Sequence, residues 1–441
     1  MQGNNKMNYS DTIEYLFHAL PMYQRIGGPA YKADLKNALI LDKKLNHPYR
    51  KYKTVHVAGT NGKGSVCHIL ASILQSSGYK TGLYTSPHLL DFRERIKVDG
   101  EMVSEKFVVD FTKNNINLFE QIKPSFFEMT AFMAFEYFAL QKVDIAIIEV
   151  GLGGRLDTTN VITPEISVIT NIGMDHTQFL GNTLEKIAQE KAGIIKSNIP
   201  VVIGETQEAI SNVFKSTAEN CNSKIFYADQ NYSIAYLMKN LDNSIRYKFT
   251  NCYHWNLENT DTDLSGNYQK SNIITSLMVL AVLNKNSMPM KVAAIKSGLK
   301  QVRALTGLSG RWQEIEYNPL VVCDIAHNTE GIQQILEQIK DTPYKNLHMV
   351  LGFVSDKDID NILAILPPGA KYYLCEPDIP RAYKVADLSD KFQDKNFSST
   401  IFKNVKDAYE AAKVKAEDDD FIYIGGSTFV VADFLKSSKN I

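Results

Sequence analysis

The sequence is short of the features that send a chain into a membrane or out of the cell. No stretch approaches the roughly 18 consecutive apolar residues of a membrane-crossing helix, and MQGNNKMNYSDTIEY lacks the apolar centre of a secretory leader. Cysteines are few and scattered. Cys67, Cys221, Cys252, Cys323 and Cys375 make no C-x-x-C pair, and an odd number without a framework fits reduced thiols in a cytoplasmic enzyme. An excess of one charge is missing too. With 48 basic and 49 acidic residues the net charge is −1, so neither nucleic acid nor an anionic membrane has an electrostatic claim as main partner. No internal repeat or low-complexity tract is found. What remains is an ordinary soluble composition, 44% apolar and 22% charged. At 441 residues the chain is too long for one core, and two or three domains are expected.

The most informative segment is Thr54 to Ser65, TVHVAGTNGKGS. A short apolar run leads into a loop with Gly59, Thr60, Asn61, Gly62, Lys63, Gly64 and Ser65. A helix pattern follows at once, with Val66, Ile69, Leu70, Ile73 and Leu74 on one face and Gly78 as a stop. Strand, glycine loop with lysine, then helix is the arrangement that holds a nucleoside triphosphate. Glycines let N–H groups point into a concave nest, the helix N-terminus favours anions, and the lysine meets the outer phosphates. The strict pattern G-x-x-x-x-G-K-[ST] is not met, because Val57 replaces the first glycine and Gly64 follows the lysine. ATP is the expected ligand.

Around this unit the chain reads as a doubly wound α/β domain. Tyr9 to Leu20 repeats apolar residues at helix spacing behind Ser10 as cap, and Thr130 to Leu140 reads as a buried helix. Val143 to Val150, ISVIT at 166–170 and PVVIG at 200–204 read as parallel strands, with a helix from about Leu184. Residues 225–265 alternate and turn, which predicts antiparallel strands attached to the first domain. A second series, LVVCDI, NLHMVLGF, KYYLCEP and FIYIGG, follows residue 310 with a helix over Gly331 to Lys340, giving a C-terminal Rossmann-like domain. The boundaries read as 1–303, a hinge at 304–311 (ALTGLSGR), and 312–441. Two such domains with a site between them suit closure on a substrate.

Several residues outside the loop could carry chemistry. Glu149 ends an apolar strand before the turn Gly151-Leu152-Gly153-Gly154-Arg155, where a buried carboxylate would meet either Mg²⁺ or Arg155. His176 follows another strand end, and is either a member of the same cleft or a structural histidine. Lys191 falls in the middle of the stripe Leu184, Ile187, Ala188, Ile194 and Ile195. An ammonium there must snorkel past the apolar face, or react with CO₂ to a metal-binding carbamate. Asp324 ends LVVCDI and could bind ribose hydroxyls, and Arg311 could reach phosphate.

Taken together, HVAGTNGKGS (56–65), SPHLLDFRERI (86–96), EVGLGGRLDTTN (149–160), MDH (174–176), EKAGIIK (190–196), SGRW (309–312) and DIAHN (324–328) run in the order of one family. The chain resembles the Mur ligase superfamily, and within it the folylpolyglutamate synthase/dihydrofolate synthase family, over nearly its full length. The resemblance implies that Lys63, Gly64 and Ser65 hold the ATP phosphates and that Asn272, Arg311 and Asp324 contact the nucleotide. It implies two Mg²⁺ ions, one on Ser86 and Glu149 and a second near Glu149 and His176, with Lys191 matching a carbamylated lysine. Ser125, Phe126, Phe127 and Glu128 match a segment lining the pterin pocket, and Asp157 lies in another; the family often has threonine where this chain has Ser125. His327 stands where the C-terminal site approaches the transferred group. The implied activity adds L-glutamate to dihydropteroate, or to the γ-carboxylate of a reduced folate, through an acyl phosphate, in a monomer. A cell-wall Mur-type ligase would share the loop, the Asp-His pair and the lysine, but the SPHL and GRLD segments speak for the folate branch. A P-loop ATPase without ligase chemistry would need neither Lys191 nor DIAHN.

Overall fold

The computed structural model describes residues 7–18 and 34–438, which divide into two compact units. The first takes in the described residues of Met1–Gly173, Thr177–Asp263 and Gln269–Gly307. The second comprises Met174–His176, Leu264–Tyr268 and Leu308–Ile441, so two short excursions of the chain group with the C-terminal part.

The first unit is built on a sheet of eight strands: β1 (Lys53–Ala58), β2 (Thr81–Tyr84), β3 (Ile96–Val98), β4 (Glu101–Met102), β5 (Ile145–Glu149), β6 (Ile166–Ile169), β7 (Val201–Ile203) and β8 (Ile225–Tyr227), in the order β4-β3-β2-β5-β1-β6-β7-β8. All pairings are parallel except those of β3 with β2 and β4. β1 and β5 are buried along nearly their whole length, which is why they read as apolar runs rather than alternating ones. Register matters here: Val57 pairs with Glu149, so both strands run out at the same level. The helix Lys63–Ser76 buries Val66, Ile69, Leu70, Ile73 and Leu74 completely. Ser77 caps its end, and Gly78 takes the left-handed conformation that follows such an end (φ +88°).

Differences from the sequence reading have local causes. The first helix runs Tyr9–His18, and its cap is Asn8 rather than Ser10: Asp11 N donates to Asn8 Oδ1 (2.9 Å) while Asn8 N donates to Asp11 Oδ2 (3.0 Å). Its expected end at Leu20 lies outside the described residues. The buried aromatic helix is longer than read, Phe126–Gln141, because Ser125 and Glu128 form a capping box ahead of the apolar run. Residues 225–227 form the parallel edge strand β8, not an antiparallel one. The expected antiparallel strands are β9 (Tyr232–Lys239), β10 (Ile245–Cys252) and β11 (Asn259–Thr262), in a sheet of their own.

The second unit holds six strands: β12 (Gln313–Tyr317), β13 (Leu320–Cys323), β14 (Leu347–Leu351), β15 (Lys371–Cys375), β16 (Ser399–Phe402) and β17 (Phe421–Gly425), ordered β12-β13-β17-β14-β15-β16. Only β12 is antiparallel to its neighbour. The helix Thr329–Lys340 starts two residues before the expected position because Asn328 caps it, accepting from Gly331 N at 2.8 Å. Residues 302–306, partly inside the segment read as a hinge, form the helix Val302–Thr306. Its last carbonyl accepts from the buried Lys97 ammonium at 2.7 Å. Among the described residues no helix is long and apolar enough to cross a membrane.

Candidate active site

The glycine loop leaves the carboxyl end of β1, between β5 and β6. Gly59 has φ +148°, and a Cβ there would stand 1.8 Å from Thr170 Oγ1, so glycine alone fits. Gly62 (φ +85°) lies against the Asn272 side chain, with Oδ1 2.3 Å from where a Cβ would be. Thr60 N donates to Asn171 O and Asn61 N to Asn171 Oδ1, both at 2.9 Å, which anchors the loop to the end of β6. The first intrahelical bond runs from Val66 N to Gly62 O (2.9 Å), so the N–H groups of Lys63, Gly64 and Ser65 lie ahead of the ladder. Val57 does not interrupt this geometry, because it is still in β1.

Lys191 lies in the helix Leu184–Ala192 and is only 5% exposed, so its ammonium does not snorkel to solvent. Its Nζ donates to Gly59 O at 2.9 Å, and Lys63 Nζ donates to the same oxygen at 2.9 Å and to Thr60 O at 3.1 Å. Glu149, 4% exposed at the end of β5, accepts from Ser86 N at 3.0 Å. Arg155, the alternative partner for Glu149, is paired with Glu190 at 2.7 Å. Among the described residues no group of three or more His, Cys, Asp or Glu side chains could hold a metal ion. A single buried carboxylate such as Glu149 still suits Mg²⁺, which is commonly held by one or two carboxylates, phosphate oxygens and water rather than by an all-protein cage.

The residues matched to the pterin pocket are tied into the fold. Ser125 Oγ accepts from Glu128 N (3.2 Å) and Glu128 Oε2 accepts from Ser125 N (2.5 Å). Phe126 packs on Phe17 and Phe92 at centroid separations of 5.4 and 6.0 Å, and the Phe127 ring fills the space beside Gly151. The guanidinium of Arg95, buried and pushed down by that burial to a pKa of about 10, lies 5.1 Å over the Phe126 ring and donates to His88 Nδ1 at 2.7 Å. Sequence reasoning did not single out Arg95 or His88, although both lie within the SPHLLDFRERI segment. Asp157 accepts from Leu152 N (2.9 Å), Thr159 N (3.0 Å) and Thr159 Oγ1 (2.5 Å); burial pushes its carboxyl up, against the pull of these donors.

Asn272, buried in the helix Gln269–Asn286, donates to Gln269 Oε1 at 2.9 Å, and Gln269 in turn donates to Ser65 Oγ at 3.3 Å. This ties the base of the loop to a second helix of the same unit.

In the second unit the centre of the polar cluster is Asp175, which the sequence offered within the MDH motif at 174–176 but without a partner. Lys357 Nζ lies 2.6 Å from its Oδ1, while His327 Nε2 (3.4 Å) and Asn328 Nδ2 (3.3 Å) face its Oδ2. His176, in the left-handed conformation (φ +51°), donates its backbone N–H to Asp175 Oδ1 at 2.8 Å. Burial works to raise the Asp175 carboxyl, but His176, His327 and Lys357 together hold it well below the usual carboxylate range. Asp324 is also enclosed, accepting from Tyr268 Oη (2.5 Å), Trp312 N (2.6 Å) and Ala326 N (2.8 Å). Its carboxyl is raised by burial, with nearby Arg311 pulling the other way.

Residues 57–280 match the Mur ligase middle domain, and residues 310–428 match the Mur ligase, glutamate ligase domain. The dihydrofolate synthase/folylpolyglutamate synthase of Bacillus subtilis is 34% identical over 409 residues, 90% of this chain and 93% of that protein. The enzyme of the same name from Escherichia coli is 32% identical over 390 residues, 86% of this chain and 85% of that protein. Among solved structures, E. coli FolC in complex with DHPP and ADP gives a TM-score of 0.85 at 27% identity, covering 100% of this chain and 99% of that one. A bifunctional folylpolyglutamate synthase/dihydrofolate synthase with Mn, AMPPNP and L-glutamate bound gives 0.83 at 27% identity, with 100% of both chains covered. The chain belongs to the Mur ligase superfamily. Within it, the chain is a member of the dihydrofolate synthase/folylpolyglutamate synthase family, ATP-dependent glutamate ligases that act on folate substrates.

Proposed function

We propose that the chain joins the α-amine of L-glutamate to the carboxylate of dihydropteroate, to the γ-carboxylate of a reduced folate, or to both, with ATP as the activating reagent. The observation that carries this reading is the glycine loop at the end of β1, where Lys63 donates to the Gly59 and Thr60 carbonyls beside the N–H groups of Lys63, Gly64 and Ser65 that precede the helix's hydrogen-bond ladder. Such a concentration of positive charge and donors suits a triphosphate.

In the first step a carboxylate oxygen of the acceptor attacks the γ-phosphorus, the bond to the bridging oxygen breaks, and ADP leaves. Lys63 and the N–H groups of Gly64 and Ser65 face the charge that spreads over the phosphoryl oxygens, so positioning and electrostatics supply most of the acceleration. In the second step the glutamate nitrogen attacks the acyl carbon, inorganic phosphate departs, and the amine loses a proton to leave an amide. Glu149, with Ser86 beside it, and Lys191 as its carbamate are the residues that would hold Mg²⁺, which when bound neutralises phosphate charge. The test is ADP release with dihydropteroate or tetrahydrofolate, each with and without L-glutamate. Glutamate-dependent release with either acceptor supports the reading; ATP hydrolysis indifferent to both overturns it.

A further inference from the structure

The loop between Glu149 and Asn160 is fastened to the end of the Lys191 helix, and one buried side chain does most of the fastening. Asn160, buried, donates through Nδ2 to Arg155 O at 3.0 Å and to Gly193 O at 3.1 Å. Arg155 belongs to the turn after Glu149, and Gly193 is the residue that closes the helix Leu184–Ala192, its N–H capping Lys191 O. The same carboxamide therefore bridges the two segments whose residues are read as metal holders. Lys196 Nζ donates to the Asn160 main-chain oxygen at 2.8 Å and fixes the bridge from behind.

Close packing makes the join rigid. Arg155 N donates to Glu190 O at 2.7 Å. A Cβ at Gly154 would stand 2.8 Å from Glu190 O and 3.0 Å from Lys191 O, and one at Gly193 would stand 2.3 Å from Arg155 Cβ. Backbone thus lies directly on backbone at Lys191. The Asn160 Oδ1 is buried without a partner, so the carboxamide sits in the one orientation that gives both protons to the two carbonyls. An aspartate of the same shape would have no proton for either.

We propose that Asn160 is a positioning residue, which sets where Lys191 stands relative to Glu149 by locking the Gly151–Arg155 turn to the end of the Lys191 helix. It touches no reacting atom. This rests on the reading that Glu149 and Lys191 hold divalent metal in the presence of nucleotide. Groups that orient metal ligands typically change metal affinity by about ten- to a hundredfold when removed.

The experiment measures Mn²⁺ binding to the full chain with AMPPNP by electron paramagnetic resonance, alongside kcat and the KM values for ATP and the folate acceptor. For N160A and N160D we expect Mn²⁺ binding weakened about tenfold or more, kcat lowered in parallel, and the acceptor KM little changed. A loop clamp with no bearing on the metal would move thermal stability and leave Mn²⁺ binding as in the wild type, and that result overturns the proposal. If N160A and N160D do not fold, K196M removes only the outer brace: a smaller loss of Mn²⁺ affinity supports the proposal, and none overturns it. E149Q and K191A separate the two levels. If both bind Mn²⁺ like the wild type, the metal reading fails and this inference with it; if both lose it and N160A does not, only the role of Asn160 fails.

Discussion

Lys63 and Lys191 donate to one and the same carbonyl oxygen, that of Gly59, each at 2.9 Å. They arrive from different helices, and Lys191 comes from a stripe of buried apolar residues. Two ammonium groups held this close repel each other, unless an anion faces them or one is converted to an anion. Lys191→Ala should therefore lower glutamate-dependent ADP release about a hundredfold or more, the scale of removing an electrostatic contact to a charged transition state. Partial recovery of the rate with added acetate or formate would identify the missing group as a carbamate. A wild-type rate in the variant would remove Lys191 from the reaction.

Gly59 is where the loop leaves the strand, and it has no room for a side chain. Gly59→Ala would drive a methyl group into Thr170, whose hydroxyl donates to Asn61 O at 2.6 Å and anchors the opposite side of the loop. We expect a stability loss of about 1–3 kcal/mol, the usual scale for a strained backbone position. AMPPNP binding should weaken more than tenfold by calorimetry, as about 1.4 kcal/mol of misplacement would produce. Unaltered affinity would mean that the loop geometry at Gly59 does not shape the phosphate site.

His56 lies inside β1, fully buried, with Nε2 2.8 Å from Thr159 Oγ1. Burial, aided by Lys196, pushes its pKa from the ordinary 6.5 down to about 3. Above pH 6.5 neither the folded nor the unfolded chain protonates it. Below that, only the unfolded chain takes the proton, so stability falls by about 1.4 kcal/mol per pH unit until the folded value near 3 is reached. At pH 5.5 this single group should account for about 1.4 kcal/mol of lost stability. His56→Gln keeps an amide donor near Thr159 and cannot titrate, so urea unfolding at pH 7.5 and 5.5 should show a shallower decline in the variant. Parallel declines would show that His56 is not the titrating group.

Much of the first unit was legible because buried parallel strands leave continuous apolar runs, and because glycine, lysine and helix pattern fall together at Gly59 to Ser65. Lys191 stood out for the converse reason: a charge in an apolar stripe contradicts its surroundings. What could not be read was partnership at long sequence separation. That Lys191 would reach back to Gly59 depends on the order of β5, β1 and β6, which no local pattern states. The edge strand β16 was missed because its burial is low and its composition, STIF, is too short for periodicity. Ser125 and Glu128 show a related difficulty, since S-x-x-E ahead of an apolar run is equally a helix start and a matched substrate segment.

The partner of Asp175 was hidden for the same reason: the MDH motif marks the aspartate, but Lys357 lies 182 positions further along the chain. The Asp175 side chain is 10% exposed and that of Lys357, its partner at 2.6 Å, is 8% exposed. Removing one member of a buried ion pair leaves the other desolvated and uncompensated, which costs about 3–5 kcal/mol, while removing both is far milder. Asp175→Asn should therefore lower the stability of the second unit by about 3 kcal/mol, and Lys357→Met alone should do comparable harm by leaving the carboxylate with the two histidines. The double variant should be more stable than the sum of the single losses predicts, by at least about 1 kcal/mol, as residues in direct contact do. Urea denaturation of the wild type, the two single variants and the double variant closes the cycle. Strict additivity would mean that the pair does not hold the Met174–His176 segment, and that the Glu330 carboxylate, which accepts from Met174 N at 2.9 Å, is sufficient to keep it in place.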